Sequence, residues 1–390
     1  MGGMDDQLVP RAEAGSVREA VALLPGLPPD GPHDRYGLRA LTALWLQDAG
    51  SAHTRRAYYA DLAAWLSWCR RTGLDPLAAR RADVDAWKGT LTVTGRDGVP
   101  RPAADSTTAR KLAALSSWYR YLISNDAADR NPVEAVRRPR QARTSPLPAL
   151  SEQSAAALLD HAERVARDLS AETAEPAEPG PGSATGAAGT TGATGTACAA
   201  EAAWRDAALA ALLFYTGLRV SAVTGARLAD LDHDSGHSVL RYTKKGGVRD
   251  LVPLVPPVLA VLSRYLELRA ARLGVALDGL TGPLLATTPH PRDPSRPGGR
   301  PLVQRDVWNT LRRLAREAGL PEARTITPHG ARRTAGTVLL AHGVPVQKVQ
   351  DLLAHADPRT TRDHYDVQRH KLDTSPAYTL AQILAARRGR

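Results

Sequence analysis

A chain of 390 residues is long enough for two hydrophobic cores, since single cores stop growing below this length. With 51 Lys and Arg against 40 Asp and Glu it carries a formal net charge of +11, which favours a polyanionic partner such as nucleic acid over an acidic small substrate. Cys69 and Cys198 lack the spacing of a zinc site or a disulfide framework, and neither a signal peptide nor an apolar run of membrane-spanning length stands out, so a cytoplasmic protein is expected.

Residues 1–35, rich in Gly, Pro, Asp and Ala, show little periodicity and read as a disordered leader. From Tyr36 the pattern is helical: Leu38, Leu41 and Trp45 recur at spacings of three and four, as do Tyr58, Leu62, Trp65, Leu66 and Cys69. Over 105–124 a third helix starts at Asp105 or Ser106 as N-cap and gathers Leu112, Leu115, Trp118, Tyr119 and Leu122 on one face. A compact helical domain over 36–136 follows. The segment "RRPRQARTSPLPAL", 137–150, mixes basic residues with Pro146 and Pro148 and reads as the linker.

The second domain, 151–390, begins with a helical pattern at Ser151 that gives way at about 170–200 to a low-complexity insertion of Ala, Gly, Thr and Pro. Structure is expected to return at Glu201 with the helix "WRDAALAALLFYTGLRV". The period then switches, and "SVLRYT" and "RDLVPL" flank "KKGG" as a β-hairpin. Ahead of it "DLDHDSGH", with Asp232, His233, Asp234 and His237, reads as a polar loop and not as a metal site. Helical segments follow at about 303–318, 328–342, 345–354 and 376–387, so the fold class is mainly α with a small β-sheet.

Chemistry is suggested by a few awkward residues. Arg219 follows a glycine that interrupts an apolar helix, and its permanent charge needs an anion or water. Lys245, or its neighbour Lys244, stands in a hairpin turn from which an ammonium can reach a leaving oxygen. In "TPHGARRT" Thr327 is an N-cap and Pro328 a first helical residue, which puts His329 and Arg332 in the first turn on one face. Cations are disfavoured there unless an anion faces them, and a phosphate satisfies that demand. In "LLAHADPRTTRDHYD" His355 and Tyr365 complete the series, the tyrosine among polar neighbours where packing gives it no task. Arg55, Arg56, Arg110 and Lys111 lie on helices of the first domain and suit contact with a nucleic-acid backbone.

Taken in order, Arg219 in "TGLRVS", Lys245 before "LVPL", "HGARRT", "LLAHADPRTT" and Tyr365 resemble the tyrosine recombinase (phage integrase) family, which includes Xer- and Cre-like site-specific recombinases. The resemblance spans about 150–375, and the helical 36–136 segment is similar to the family's core-binding domain. It implies a two-domain architecture closing as a clamp on double-stranded DNA, and strand cleavage and rejoining through a 3′-phosphotyrosine. Arg219 and Arg332 would then clamp the scissile phosphate and Lys245 would protonate the departing 5′-oxygen. His329 would help take the phenol proton, His355 would bond the phosphoryl group, and Tyr365 would attack. The resemblance implies no cofactor and no metal. It also implies a homotetramer on paired sites, with the C-terminal segment "PAYTLAQILAARR" docking between subunits, and a place of action at the nucleoid.

The sequence departs from the family pattern at four places. Ala222 stands where an acidic residue is usual, Arg333 replaces a common histidine, and Ala354 replaces a glycine before His355. His355 and Tyr365 are ten apart (365 − 355), one more than is common. Two alternatives follow: a catalytically weak or inactive DNA-binding protein of the same fold, and a related type IB topoisomerase or telomere resolvase.

Overall fold

The computed structural model describes residues 14–30, 36–95, 98–139, 149–174, 188–244, 247–290, 293 and 296–354. The chain divides into two compact units, Met1–Ala142 and Arg143–Arg390.

In the first unit helices α1 (Ala14–Ala22), α2 (Leu38–Gln47), α3 (Ala52–Thr72), α4 (Arg81–Gly89) and α5 (Asp105–Ile123) enclose one core. The periodic residues are the ones buried: Leu112, Leu115, Trp118, Tyr119 and Leu122 of α5 meet Leu62, Trp65, Leu66 and Cys69 of α3. Indole and phenol groups bring polar atoms into this core, and three of them pair there. Trp65 Nε1 donates to Tyr119 Oη (3.2 Å), which donates to the Pro76 carbonyl (2.6 Å), and Trp118 Nε1 donates to Thr42 Oγ1 (3.0 Å). Ser51 caps α3 by accepting from the Thr54 amide, and Gly73 ends it at φ +68°.

The reading of 1–35 as a disordered leader is corrected for its described residues. Val17, Val21 and Leu24 recur at helical spacing on α1 and the turn after it, and are buried with Leu27 in the first core. The run is too short for its period to stand out among glycines and prolines, and burial against α2 and α3 supplies the stability that local propensity does not. A small exposed hairpin, β1 (Thr92–Thr94) with β2 (Pro100–Pro102), also interrupts the helical pattern.

The second unit packs α6 (Glu152–Ala174), α7 (Ala188–Thr216), α9 (Pro256–Leu273), α10 (Gln304–Glu317) and α11 (Pro328–Ala341) around a second core, with the short helices α8 (Val220–Gly225) and α12 (Val346–Leu352) beside it. Helix α7 starts at Ala188, inside the low-complexity tract and before Glu201, where the sequence led us to expect structure to resume. Ala197, Ala199 and Ala200 favour the helix directly ahead of Glu201, and the long apolar helix that follows carries the Gly and Thr residues before them, against their own propensity. Helix α10 is amphipathic, burying Val307, Leu311, Leu314 and Ala315, and its entry is fixed by the Val303 amide donating to Asp306 Oδ2 at 3.0 Å.

One antiparallel sheet joins β3 (Leu231–Asp234), β4 (His237–Thr243) and β5 (Arg249–Pro253) in that order. Leu240, Tyr242 and Val252 face the core while Arg241 and Leu251 point away, the alternation of a half-buried sheet. The polar stretch "DLDHDSGH" is corrected here from loop to strand and turn. Its residues pair with β4 across a two-residue turn in which Ser235 and Gly236 both have positive φ, the conformation that matches strand twist. Charged side chains on the solvent face hid the strand. The expected segment at 376–387 lies outside the described residues.

Candidate active site

Helix α7 ends in a way that sets the first candidate residue. The Leu218 amide donates to Thr216 Oγ1 (3.2 Å), and Gly217 turns left-handed at φ +61°. That turn sends Leu218 into the core and makes half-buried Arg219 the N-terminal flanking residue of α8. Ala222, one turn on, packs against the second core.

The second arginine comes from α11. Thr327 accepts from the Gly330 amide at 2.9 Å and Pro328 opens the helix, as the sequence indicates. His329 is exposed at this start, whereas Arg332 is turned inward and only 3% exposed. Its Nη1 donates to the Gly217 carbonyl at 2.6 Å, and its Nη2 donates to the Leu353 carbonyl. A guanidinium can shed no charge on burial, so carbonyl oxygens must partly solvate it.

Tyr242 of β4 shows that the two arginines share one neighbourhood. Burial, and then the hydrogen bond that its phenol donates to Asp250 Oδ2 (3.0 Å), push the phenol up to about 12, while the charges of Arg332 and Arg219 pull it down. Lys244 Nζ lies 2.7 Å from the same carboxylate oxygen. Burial pushes the Asp250 carboxyl up, but the hydrogen bonds from Lys244 and Tyr242 outweigh it and hold the group below its ordinary value. Gly217, Tyr242, Asp250 and the Leu353 carbonyl thus belong to the site, though their residue types did not single them out. A register count would have found one pair, since Tyr242 and Asp250 face each other directly once the turn is placed at "KKGG".

Lys245, His355 and Tyr365 lie outside the described residues. Lys244 and Gly247, which flank the hairpin tip, are joined by the Gly247 amide donating to the Lys244 carbonyl at 3.0 Å. The chain ends its description at Ala354, whose φ of +46° is the left-handed conformation that glycine adopts more readily.

The four basic residues expected to meet a nucleic-acid backbone fall in different settings. Arg55 is half-buried and donates to the Leu46 carbonyl at 3.2 Å, while Arg56 is exposed. Arg110 and Lys111 both pair with Asp61, itself 2% exposed, so part of their charge balances a buried carboxylate. Burial raises the Asp61 pKa, and the charges of Lys111 and Arg110 oppose the rise without cancelling it.

The sequence matches the phage integrase family over residues 194–371 and the phage integrase N-terminal SAM-like domain over residues 41–126. The first match contains all six candidate positions from Arg219 to Tyr365. Among curated relatives, the chain is 27% identical over 329 residues to tyrosine recombinase XerD of Chlorobaculum tepidum, covering 84% of this chain and 90% of that protein. It is 29% identical over 361 residues to tyrosine recombinase XerC of Rhodospirillum centenum, covering 88% and 86%. Among solved structures, XerH site-specific recombinase bound to a palindromic difH substrate in a post-cleavage complex aligns with a TM-score of 0.56 at 14% identity, covering 87% of this chain and 82% of that one. A lambda integrase (75–356) dimer bound to a COC′ core site aligns with a TM-score of 0.51 at 17% identity, covering 85% and 96%. At these identities the two structures speak for the fold alone. Among the described residues no helix is long and apolar enough to cross a membrane. With both domain matches in their expected places, the chain belongs to the phage integrase family of tyrosine recombinases.

Proposed function

We propose that the protein is a site-specific DNA recombinase that cuts and rejoins strands through a 3′-phosphotyrosine. The observation that supports the reading is the hydrogen bond from Arg332 Nη1 to the carbonyl of Gly217 (2.6 Å), two residues before Arg219, which brings the start of α11 to the start of α8, with both charges acting on the Tyr242 phenol. Two guanidiniums suit the charge that develops on a phosphoryl group under in-line attack, and they act without a metal ion.

In the proposed step Tyr365 Oη loses its proton toward His329 and attacks the scissile phosphorus. The bond between phosphorus and the 5′-oxygen breaks, and its electron pair leaves on that oxygen, which takes a proton from Lys245. His355 donates a hydrogen bond to the phosphoryl group. The products are a 3′-phosphotyrosine and a free 5′-hydroxyl, and attack by the 5′-hydroxyl of another strand reverses the chemistry to complete the exchange. No nucleotide cofactor is required, because the covalent link retains the energy of the broken phosphodiester.

Double-stranded DNA is the partner, in keeping with the net charge of +11 and with the DNA-bound relatives of the same fold. Arg55, Arg56, Arg110 and Lys111 supply backbone contacts that position the protein without reading sequence. Exchange requires two sites and four protomers, and we assign the segment at 376–387 to contact between neighbouring protomers. For this reading the limits 36–136 of the core-binding part extend upstream to take in α1, whose Val17 and Val21 are buried in that core, the catalytic part is 151–390, and action on chromosomal or element DNA places the protein at the nucleoid.

The test is a nicked suicide substrate bearing the protein's own site, selected from random duplexes by retention on the protein. Wild type is expected to form a protein–DNA adduct that survives SDS, and Tyr365→Phe to form none. Site binding by wild type without an adduct would instead favour a DNA-binding protein of the same fold.

A further inference from the structure

The β4–β5 hairpin carries a polar arrangement that the strand-transfer mechanism above does not use. Tyr242 and Asp250 are register partners across the two strands, and Lys244 stands at the end of β4 beside the turn. One carboxylate oxygen, Asp250 Oδ2, accepts from Tyr242 Oη at 3.0 Å and lies 2.7 Å from Lys244 Nζ. The Tyr242 ring is 6% exposed and anchored in the second core, whereas Asp250 is half-buried and Lys244 lies next to the turn. A buried phenol is thus linked through one carboxylate to Lys244, the residue that leads into the turn. The backbone adds two bonds at the same place, Lys244 amide to Val248 carbonyl (2.7 Å) and Gly247 amide to Lys244 carbonyl.

Cross-strand ion pairs on exposed strands are weak, and one other in this sheet, Arg241 with Asp232, is of that kind. The Asp250 arrangement differs in its neighbours. Its phenol partner is the group on which Arg219 and Arg332 both act, so the hairpin is tied to the side of the sheet where the phosphate clamp is proposed.

We propose that Asp250 is a positioning residue, which links Tyr242 to Lys244 and so holds the hairpin tip where its lysine delivers a proton to the departing 5′-oxygen. The inference rests on the strand-transfer reading. Its ion pair occupies Lys244 and leaves proton delivery to Lys245. When the phosphorus–oxygen bond breaks, the electron pair goes to the 5′-oxygen, and an alkoxide is so basic that it needs that proton. A sulfur in place of the bridging oxygen leaves as a thiolate, whose conjugate acid has a pKa of about 8.5, and needs no proton donor.

The experiment compares single-turnover cleavage of two nicked duplexes bearing the selected site, one with the ordinary 5′-oxygen and one with a 5′-bridging sulfur. Asp250→Asn is expected to slow cleavage of the oxygen substrate at least about tenfold, a fraction of the gain that a well-placed general acid supplies. Cleavage of the sulfur substrate is expected to stay near wild-type rate, and Asp250→Glu to recover part of the loss on oxygen. Equal slowing of both substrates by a variant that melts like wild type, or slowing of neither, overturns the proposal. Tyr242→Phe keeps the buried ring and removes only the hydroxyl, so it carries the same comparison should Asp250→Asn fail to fold. Failure of wild type to cut either duplex removes the strand-transfer reading itself, and that result is distinguishable because it needs no variant.

Discussion

Arg332 donates to the carbonyl of Gly217 at 2.6 Å, joining helix α11 to the end of α7 across 115 residues of chain. Because Gly217 lies two residues before Arg219, this bond sets the spacing of the two helix ends that present the arginine pair. The left-handed turn at Gly217 is what aims its carbonyl at the guanidinium.

Replacing Gly217 by alanine therefore has a structural cost. A Cβ there lies 2.6 Å from Leu353 Cδ2, and the φ of +61° is itself unfavourable for an L-residue by about 1–2 kcal/mol. Leu353 can yield partly, so Gly217→Ala is expected to lower the unfolding free energy by about 1–3 kcal/mol in urea titration. Unchanged stability would mean that the turn is not needed. Adduct formation should fall with it, because the Leu353 and Gly217 carbonyls both hold Arg332.

Ala354 gives the opposite sign. At φ +46° it bears a conformation that glycine adopts without a Cβ penalty, while glycine loses more backbone entropy on folding. The difference favours Ala354→Gly by up to about 1 kcal/mol, and a rise in melting temperature is expected. A fall would show that the strain lies elsewhere.

Stability should decline at high pH. Burial, then the charge of Asp83, pushes the Cys69 thiol up to about 12, and burial with Asp250 pushes the Tyr242 phenol to the same value. The ordinary values are 9.0 and 10.0, so above pH 9 the unfolded chain releases protons that the native state keeps. The stabilisation is complete below pH 9 and is lost as pH rises toward 12. Melting temperature is expected to drop between those limits, and Cys69→Ala to flatten the first part of the drop. A flat profile would show that both groups ionise in the native state as freely as in the unfolded one.

Asp61 links stability to the proposed DNA contacts. It is almost fully buried between Arg110 and Lys111, whose side chains are 47% and 16% exposed. Lys111→Met leaves the carboxylate with its more solvated partner, and a loss of about 2 kcal/mol is expected, below the full cost of breaking a buried pair because Arg110 remains. Arg110→Ala is expected to weaken DNA binding evenly across sequences and to reduce the salt slope of log K by about one. An unchanged slope would place Arg110 away from the backbone.

Thr334 ties the start of the second unit to the helix that carries Arg332. Its hydroxyl accepts from the Leu150 amide at 2.9 Å and donates to the Gly330 carbonyl at 3.0 Å. Thr334→Val keeps the shape, leaves a buried amide unpaired, and should cost about 1–3 kcal/mol in denaturant unfolding. A neutral result would mean that water reaches the Leu150 amide.

Much of this was legible in the chain itself. Helical period marked the faces of α3 and α5, Thr327 and Pro328 marked the start of α11, and "KKGG" between two β-rich runs marked the hairpin, because each signal is local and repeats within a few residues. Three features were not. Helix α1 is too short for its period to be seen, the strand β3 is masked by charge, and α7 begins in a tract whose composition argues against order.

The order Arg219, Lys245, His329, Arg332, His355, Tyr365 is written in the sequence, and the proposed chemistry is read from that order. Burial of Arg332 against two backbone carbonyls, and the grip of Asp250 on Tyr242 and Lys244, were decided only by the tertiary structure. The physical reason is that a charged side chain's partners are chosen by which distant backbone and strand the fold brings within hydrogen-bonding distance, and no local pattern of residues records that choice.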